Sequence, residues 1–77
     1  MKKANYIISF YVLDEYENEV ENELRDLILQ LDEDDGEFNF NERSYKTTNK
    51  YNAIIFQTSL YKLLEADKIF EVTSHCF

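Results

Sequence analysis

The spacing of apolar residues changes between the first two segments of the chain, and this change most constrains the fold. In NYIISFYVL (residues 5–13), Tyr6, Ile8, Phe10 and Val12 lie two apart, which is the spacing along one face of a β-strand. The next apolar residues recur every three or four positions, as on one side of an α-helix. They are Tyr16, Val20, Leu24, Leu27, Ile28 and Leu31. A strand followed directly by an amphipathic helix predicts a mixed fold with the helix packed on a sheet.

Both ends of this helix carry signals in the sequence. Asp14 precedes it and Glu17 follows three residues later, an arrangement that predicts a capping box at the start. Gly36, the only glycine in the chain, comes soon after the apolar stripe ends. We expect it to adopt the left-handed conformation that often closes a helix.

The second half of the chain reads as further strands with a short helix. Alternation from Glu37 predicts a strand to about residue 46, and YNAIIFQTS (51–59) predicts the next strand, paired with it as an antiparallel hairpin. Ser59 is expected to cap a short helix, whose apolar side is formed by Leu60, Leu63 and Leu64. KIFEVT (68–73) then predicts a last strand, with a longer helix as far as Val72 as the alternative.

The predicted order is therefore strand, helix, strand, strand, short helix, strand. This order predicts an α+β fold, a ferredoxin-like βαββ(α)β plait with one long acidic helix on an antiparallel sheet. The first and third strands are expected to form a parallel central pair. No linker or repeat divides the chain, so residues 1–77 are expected to form one domain.

Composition indicates a small folded protein. Hydrophobic residues make up 44% of the 77 residues, which is too high for a disordered tail. A core of this size is modest, so part of the stability is expected to come from a partner, and a homodimer is predicted. The chain shows no apolar run that could span a membrane and no typical signal peptide. Since Cys76 is the only cysteine, it cannot form an internal disulfide, and a cytoplasmic location is expected.

The net charge of −8 is concentrated in one segment. Residues 14–42 contain 13 acidic residues and a single base, Arg25, whereas the segments on either side each carry a net charge of +2. A segment this acidic repels phosphate and anionic lipid, so neither nucleic acid nor a membrane is expected to bind there. The complementary partner is a basic protein surface.

The acidic residues of the predicted helix fall into two rows. One row contains Glu15, Glu19, Glu23 and Asp26. The other row contains Glu17, Glu21 and Arg25. These rows have two interpretations: a solvated face that keeps the protein in solution, or a docking surface whose carboxylates imitate phosphates. In the second interpretation the partner-binding residues are Glu15, Glu17, Glu19, Glu21, Glu23 and Asp26.

Two other segments could suggest a metal. LDEDDGEFNFNE (31–42) resembles a calcium loop, because glycine is sixth and Glu42 is twelfth. However, its first position is Leu31, which belongs to the helix stripe, so a solvated acidic turn is predicted. Weak ion binding by Asp32, Asp34 and Asp35 is the alternative. His75 and Cys76 are adjacent, but the chain has no second histidine or cysteine that could complete a zinc site with them. From all these segments together, the sequence predicts no metal, no cofactor and no catalytic residue.

Three phrases carry a resemblance to known families: NYIISF, NAIIFQTSL and DKIFEVT. Together they resemble small ferredoxin-fold proteins of the CRISPR-associated endoribonuclease-like family and the antitoxin endoribonucleases of type V toxin–antitoxin systems. The resemblance implies the fold, and it implies metal-dependent RNA cleavage centred on an aspartate at the end of the first strand. Ser9, Phe10 and Tyr11 occupy the corresponding position here, and the first acid is Asp14.

Three functional hypotheses follow. The leading one is a non-catalytic interaction protein that binds and regulates or inhibits a basic, nucleic-acid-binding protein, in a phage or toxin–antitoxin setting. The first alternative is a metal-dependent endoribonuclease with Asp14 as a metal ligand. The second is a structural accessory subunit whose apolar strand edge pairs with another chain.

Overall fold

A computed structural model describes residues 5–31 and 36–76 of the chain, which form four strands and two helices. The strands are β1 (Tyr6–Val12), β2 (Glu37–Asn39), β3 (Ser44–Thr47) and β4 (Ile69–Cys76). The helices are α1 (Glu17–Gln30), preceded by a 3₁₀ turn (Asp14–Tyr16), and α2 (Lys50–Glu65).

The four strands form one antiparallel sheet in the order β2-β3-β1-β4. Ile8 in β1 lies opposite Tyr45 in β3 and Ser74 in β4. The α+β, ferredoxin-like arrangement predicted from the sequence is therefore confirmed. The predicted parallel pair of the first and third strands was wrong, because the third predicted strand (51–59) is helical. The central neighbour of β1 is instead β3 (Ser44–Thr47), and the two are antiparallel because the tight β2–β3 hairpin reverses the chain direction.

The core lies between the sheet and the two helices. Ile8, Phe10 and Val12 project from β1 toward the helices and are almost fully buried. Phe56 of α2 is 0% exposed, and its ring centroid lies 4.6 Å from that of Tyr45 and 5.9 Å from that of Phe38. This aromatic cluster fixes α2 against β2 and β3, on the side of the sheet where α1 also packs through Val20 and Leu24.

Helix α1 lies where the apolar stripe predicts it, but both predicted end signals were wrong. The helix starts after the 3₁₀ turn, and no side chain caps either element, so Asp14 and Glu17 form no capping box. The helix already ends at Gln30, where Leu31 has an extended backbone, so Gly36 does not close it. Residues 32–35, which include the three aspartates considered as ion ligands, lie outside the described residues.

Residues 37–46 form a hairpin instead of the single predicted strand. The turn between β2 and β3 ends at Arg43, which adopts a left-handed φ of 54°. Its guanidinium Nη1 donates a hydrogen bond of 2.5 Å to the Phe40 carbonyl, and the group lies 4.2 Å from the centroid of the Phe40 ring. These contacts hold a turn that alternation alone did not reveal.

The segment 51–59, predicted as a strand, lies within helix α2. Asn49 caps this helix, since its side-chain oxygen accepts a hydrogen bond of 3.1 Å from the Asn52 backbone N–H. Ala53, Phe56, Leu60 and Leu63 then face the sheet and are buried. The short helix predicted after Ser59 is the second half of α2, so an edge strand does not exist at residues 52–57.

The last strand was predicted correctly at residues 68–73 and continues to Cys76. The chain leaves α2 through Asp67, which has a φ of 61° and ends the helix, so the longer helix to Val72 is wrong. Neither described helix has the length and apolar character that crossing a membrane requires.

Candidate functional site

The acidic helix, defined here as the 3₁₀ turn together with α1 (residues 14–30), carries the six predicted partner-binding residues. The apolar stripe faces the core, so the acids are left on the remaining sides. Five of the six are exposed, and Glu21 is half-buried. The two predicted rows do not form one continuous surface, because they flank opposite sides of the buried stripe.

The row of Glu17 and Glu21 lies on the side of the β2–β3 hairpin. Glu17 Oε2 accepts a hydrogen bond of 2.7 Å from Nη2 of Arg43, the residue that closes the hairpin turn. Glu21 accepts one of 2.9 Å from Nε of Arg25, within the same helix. Arg25 in turn lies 5.7 Å from the centroid of the Phe38 ring in β2. Both carboxylates of this row are thus paired with the protein's own cations.

The row of Glu19, Glu23 and Asp26 lies on the side of α2. Glu19 accepts a hydrogen bond from the Lys68 ammonium, at the start of β4. This hydrogen bond raises the pKa of Lys68, and the negative charges of Glu19 and Glu23 act in the same direction. Lys68 is therefore held in its charged form beside the helix.

Three carboxylates of the predicted site have no such partner. Within residues 5–31 and 36–76, Glu15, Glu23 and Asp26 make no ion pair and accept no hydrogen bond from a side chain. Asp14 is in the same situation within that part of the chain. The acidic helix has seven carboxylates, and within the described part of the chain Arg25, Arg43 and Lys68 neutralise three of them, so a surplus charge of −4 remains there.

A cleft of about 400 Å³ lies between α1 and α2. Glu23 and Asp26 line one wall, Lys62 and Lys68 line the other, and leucines such as Leu24 form the apolar part. The two walls carry opposite charges, so the cleft does not specifically attract a cation.

The other candidates from the sequence do not come together as a reactive centre. Asp14 is exposed in the 3₁₀ turn, and the described part of the chain contains no group of three His, Cys, Asp or Glu residues spaced to hold a metal ion. His75 and Cys76 lie opposite Ile7 and Tyr6 in the sheet. As neighbours on a strand, their side chains point to opposite faces.

Two exposed apolar features were missed in the sequence. Helix α2 turns Tyr51, Ile54, Ile55 and Tyr61 toward solvent. On the sheet face away from the helices, the rings of Tyr11 and Phe70 stack with centroids 5.5 Å apart. The stacked pair has no local signal, because a bulge between Tyr11 and Val12 in the β1–β4 pairing sets its register.

The chain matches no protein-family model, no curated protein and no solved structure.

Proposed function

We propose that this protein is a non-catalytic interaction protein that binds a basic protein surface through the acidic helix and thereby regulates or inhibits its partner. The observation that carries the proposal is the surplus charge of −4 that remains on the helix after the three ion pairs it forms among residues 5–31 and 36–76. The 14 residues of α1 and the three of the 3₁₀ turn together are about 27 Å long, so this charge is dense enough to attract a basic surface over a distance of about 10 Å at moderate salt.

The unpaired carboxylates of Glu15, Glu23 and Asp26 are the proposed contact residues. Each is exposed, and within the described residues none must break an ion pair before it meets a partner. Glu17 and Glu19 have a different role, because their ion pairs attach the helix to the hairpin and to the start of β4. Glu21 is already paired with Arg25 of the same helix. We expect these three residues to contribute less to binding.

Such a surface increases the rate and the specificity of association more than it increases the affinity. Complementary charges steer association and exclude partners of the same sign. A partner whose basic surface normally binds phosphates would be occupied by the carboxylates instead, which is how inhibition would arise. We place this activity in the cytoplasm, in a phage or toxin–antitoxin setting.

The test separates the position of the charges from their number. One variant combines Glu15→Gln, Glu23→Gln and Asp26→Asn. The control combines Glu37→Gln, Glu42→Gln and Glu71→Gln, three acids that are exposed outside the acidic helix. Both variants change the net charge by +3. Binding of a fluorescent ten-residue arginine peptide is measured by anisotropy over a series of salt concentrations.

We expect the helix variant to weaken binding at least tenfold at low salt and the control to weaken it about twofold or less. The same pair of variants, used as baits in the host lysate, should differ in the same way for the natural partner. Equal losses in both variants would mean that net charge alone acts, and would contradict the proposal. Cleavage of single-stranded RNA with magnesium or manganese that Asp14→Asn abolishes would contradict its non-catalytic part.

A further inference from the structure

Helix α2 exposes a stripe of apolar residues from Tyr51 to Tyr61 on its solvent side. Ile54, at one edge of the stripe, also lines a cleft with Ser74 and Cys76 of β4. Tyr51 is 76% exposed, Ile54 50%, Ile55 45% and Tyr61 46%. These positions are spaced by three, one and six residues, so they lie on one side of the helix. The stripe, called the outer stripe of α2 below, is completed by three exposed polar residues at the same helical spacing. Its members are Tyr51, Ile54, Ile55, Thr58, Tyr61, Lys62 and Glu65.

The size of this stripe is unusual for a surface that faces only water. A tyrosine carries on the order of 200 Å² of surface, so the exposed parts of the four apolar residues add up to roughly 400 Å² per chain. Single exposed apolar residues are ordinary, whereas a continuous patch of a few hundred Å² commonly marks an interface. Within α2 the only charged residues are Lys50, Lys62 and Glu65, so the strong negative charge of α1 is not repeated here.

The residue order within the stripe fits a second copy of the same helix. Thr58 lies at its centre, with Tyr51 and Glu65 seven residues to either side. In an antiparallel pair related by a two-fold axis at Thr58, Ile55 of each helix meets Tyr61 of the partner subunit, and Ile54 meets the aliphatic part of its Lys62. A two-fold interface requires this kind of self-complementary surface.

The charges at the two ends of the stripe are complementary in the same arrangement. Lys50 is at the start of α2 and Glu65 at its end, so the antiparallel arrangement brings each Lys50 beside Glu65 of the partner subunit. The two copies of Lys62 are about 12 Å apart along the helix axis. This separation exceeds the screening length of about 10 Å at 0.1 M salt, so the two charges repel each other only weakly. A parallel arrangement would instead place like charges together at both ends.

We infer that the outer stripe of α2 is the interface of a homodimer, in which two α2 helices pack antiparallel around Thr58. The total apolar area, about 800 Å² for both chains, lies below that of a permanent dimer. We therefore expect a weak and reversible dimer, with a dissociation constant on the order of micromolar or above. This inference uses a different helix from the proposed partner surface and does not depend on it.

The test is sedimentation equilibrium of the full chain from about 1 to 500 µM. We expect reversible dimerisation, at least about tenfold weaker in the double variant Ile54→Gln/Ile55→Gln. The matched control is Tyr11→Gln/Phe70→Gln, which removes two side chains that are 53% and 56% exposed on the sheet face. This control should leave the dissociation constant unchanged, and the far-UV spectra of both variants should match that of the parent.

Charge exchange tests the antiparallel direction. Glu65→Lys should weaken the dimer about fivefold or more by placing two lysines together, and adding Lys50→Glu in the same chain should restore it. A chain that stays monomeric at 500 µM would overturn the inference, and the stripe would then serve a different apolar partner. Dimerisation that is lost in the Tyr11/Phe70 control but kept in the Ile54/Ile55 variant would also overturn it.

Discussion

Lys68 donates a hydrogen bond from its ammonium group to Glu19, although 49 positions separate the two residues in the chain. Lys68 lies between α2 and β4, and its carbonyl also accepts a hydrogen bond of 3.2 Å from the backbone N–H of Leu13. One residue thus connects the end of β1, the start of β4 and the acidic helix. The position of α1 depends on this contact as well as on its buried stripe.

The pKa of Lys68 gives a test of this connection. The hydrogen bond that Lys68 donates to Glu19 raises that pKa in the folded protein, so the stabilisation is complete below the pKa of lysine in the unfolded chain, about 10.4. It is lost as the pH rises through the folded value. We expect Lys68→Gln to lower the free energy of unfolding at pH 7, and the difference from the parent to shrink at pH 11. Urea unfolding followed by circular dichroism measures both. A difference that does not change with pH would assign the effect to packing.

Arg43 combines an unfavourable backbone with favourable side-chain contacts. Arg43→Ala keeps the left-handed φ of 54° but loses the bonds to the Phe40 carbonyl and Glu17 and the contact with the Phe40 ring. We expect it to lower the free energy of unfolding by about 1–2 kcal/mol. Arg43→Gly loses the same contacts but removes the backbone cost of about 1 kcal/mol.

The Gly variant of Arg43 should therefore be at least as stable as the Ala variant in urea unfolding. At an ordinary position the order is reversed, because glycine loses more entropy on folding. An Ala variant clearly more stable than the Gly variant would show that the turn does not need a left-handed residue.

The aromatic cluster around Phe56 predicts a large loss when its ring is removed. Phe56 is fully buried and its ring lies close to those of Phe10, Phe38 and Tyr45. We expect Phe56→Ala to cost about 3–5 kcal/mol, a large part of the 5–15 kcal/mol typical of a whole domain. Phe56→Leu fills more of the space and should cost clearly less. Thermal unfolding followed by circular dichroism measures both, and similar losses would mean that the ring contacts add little.

The sequence predicts β1 and α1 well because their burial follows a single period. Every apolar residue of the α1 stripe contacts the core, and acids occupy half of the remaining positions of the helix. Helix α2 is different. Its buried residues Ala53, Phe56, Leu60 and Leu63 do keep a helical spacing, but Ile54 and Ile55 are apolar on the opposite side. This second apolar side hides the period and makes the segment look like a β-strand.

The sequence predicts which acidic residues the candidate site contains, but it does not predict which of them form ion pairs. A local pattern locates the six acids on one helix, and only Glu21 finds its partner within that helix. The other partners, Arg43 and Lys68, are 26 and 49 positions away from Glu17 and Glu19. Since such pairs depend on how the sheet brings distant turns together, the division into paired and unpaired carboxylates required the fold.

Gly36 provides a test of the helix end. The sequence predicts a left-handed cap there, but α1 ends at Gln30, six positions earlier. A glycine that does not close a helix mainly adds entropy to the unfolded chain, so Gly36→Ala should leave the protein as stable or raise the free energy of unfolding by about 0.4–1 kcal/mol. The contrasting variant is Asp67→Ala, where φ is 61°. Alanine tolerates that angle less well than aspartate does, so this variant should lower stability. Urea unfolding decides between the two accounts: if Gly36→Ala costs more than Asp67→Ala, position 36 requires the freedom that only glycine has.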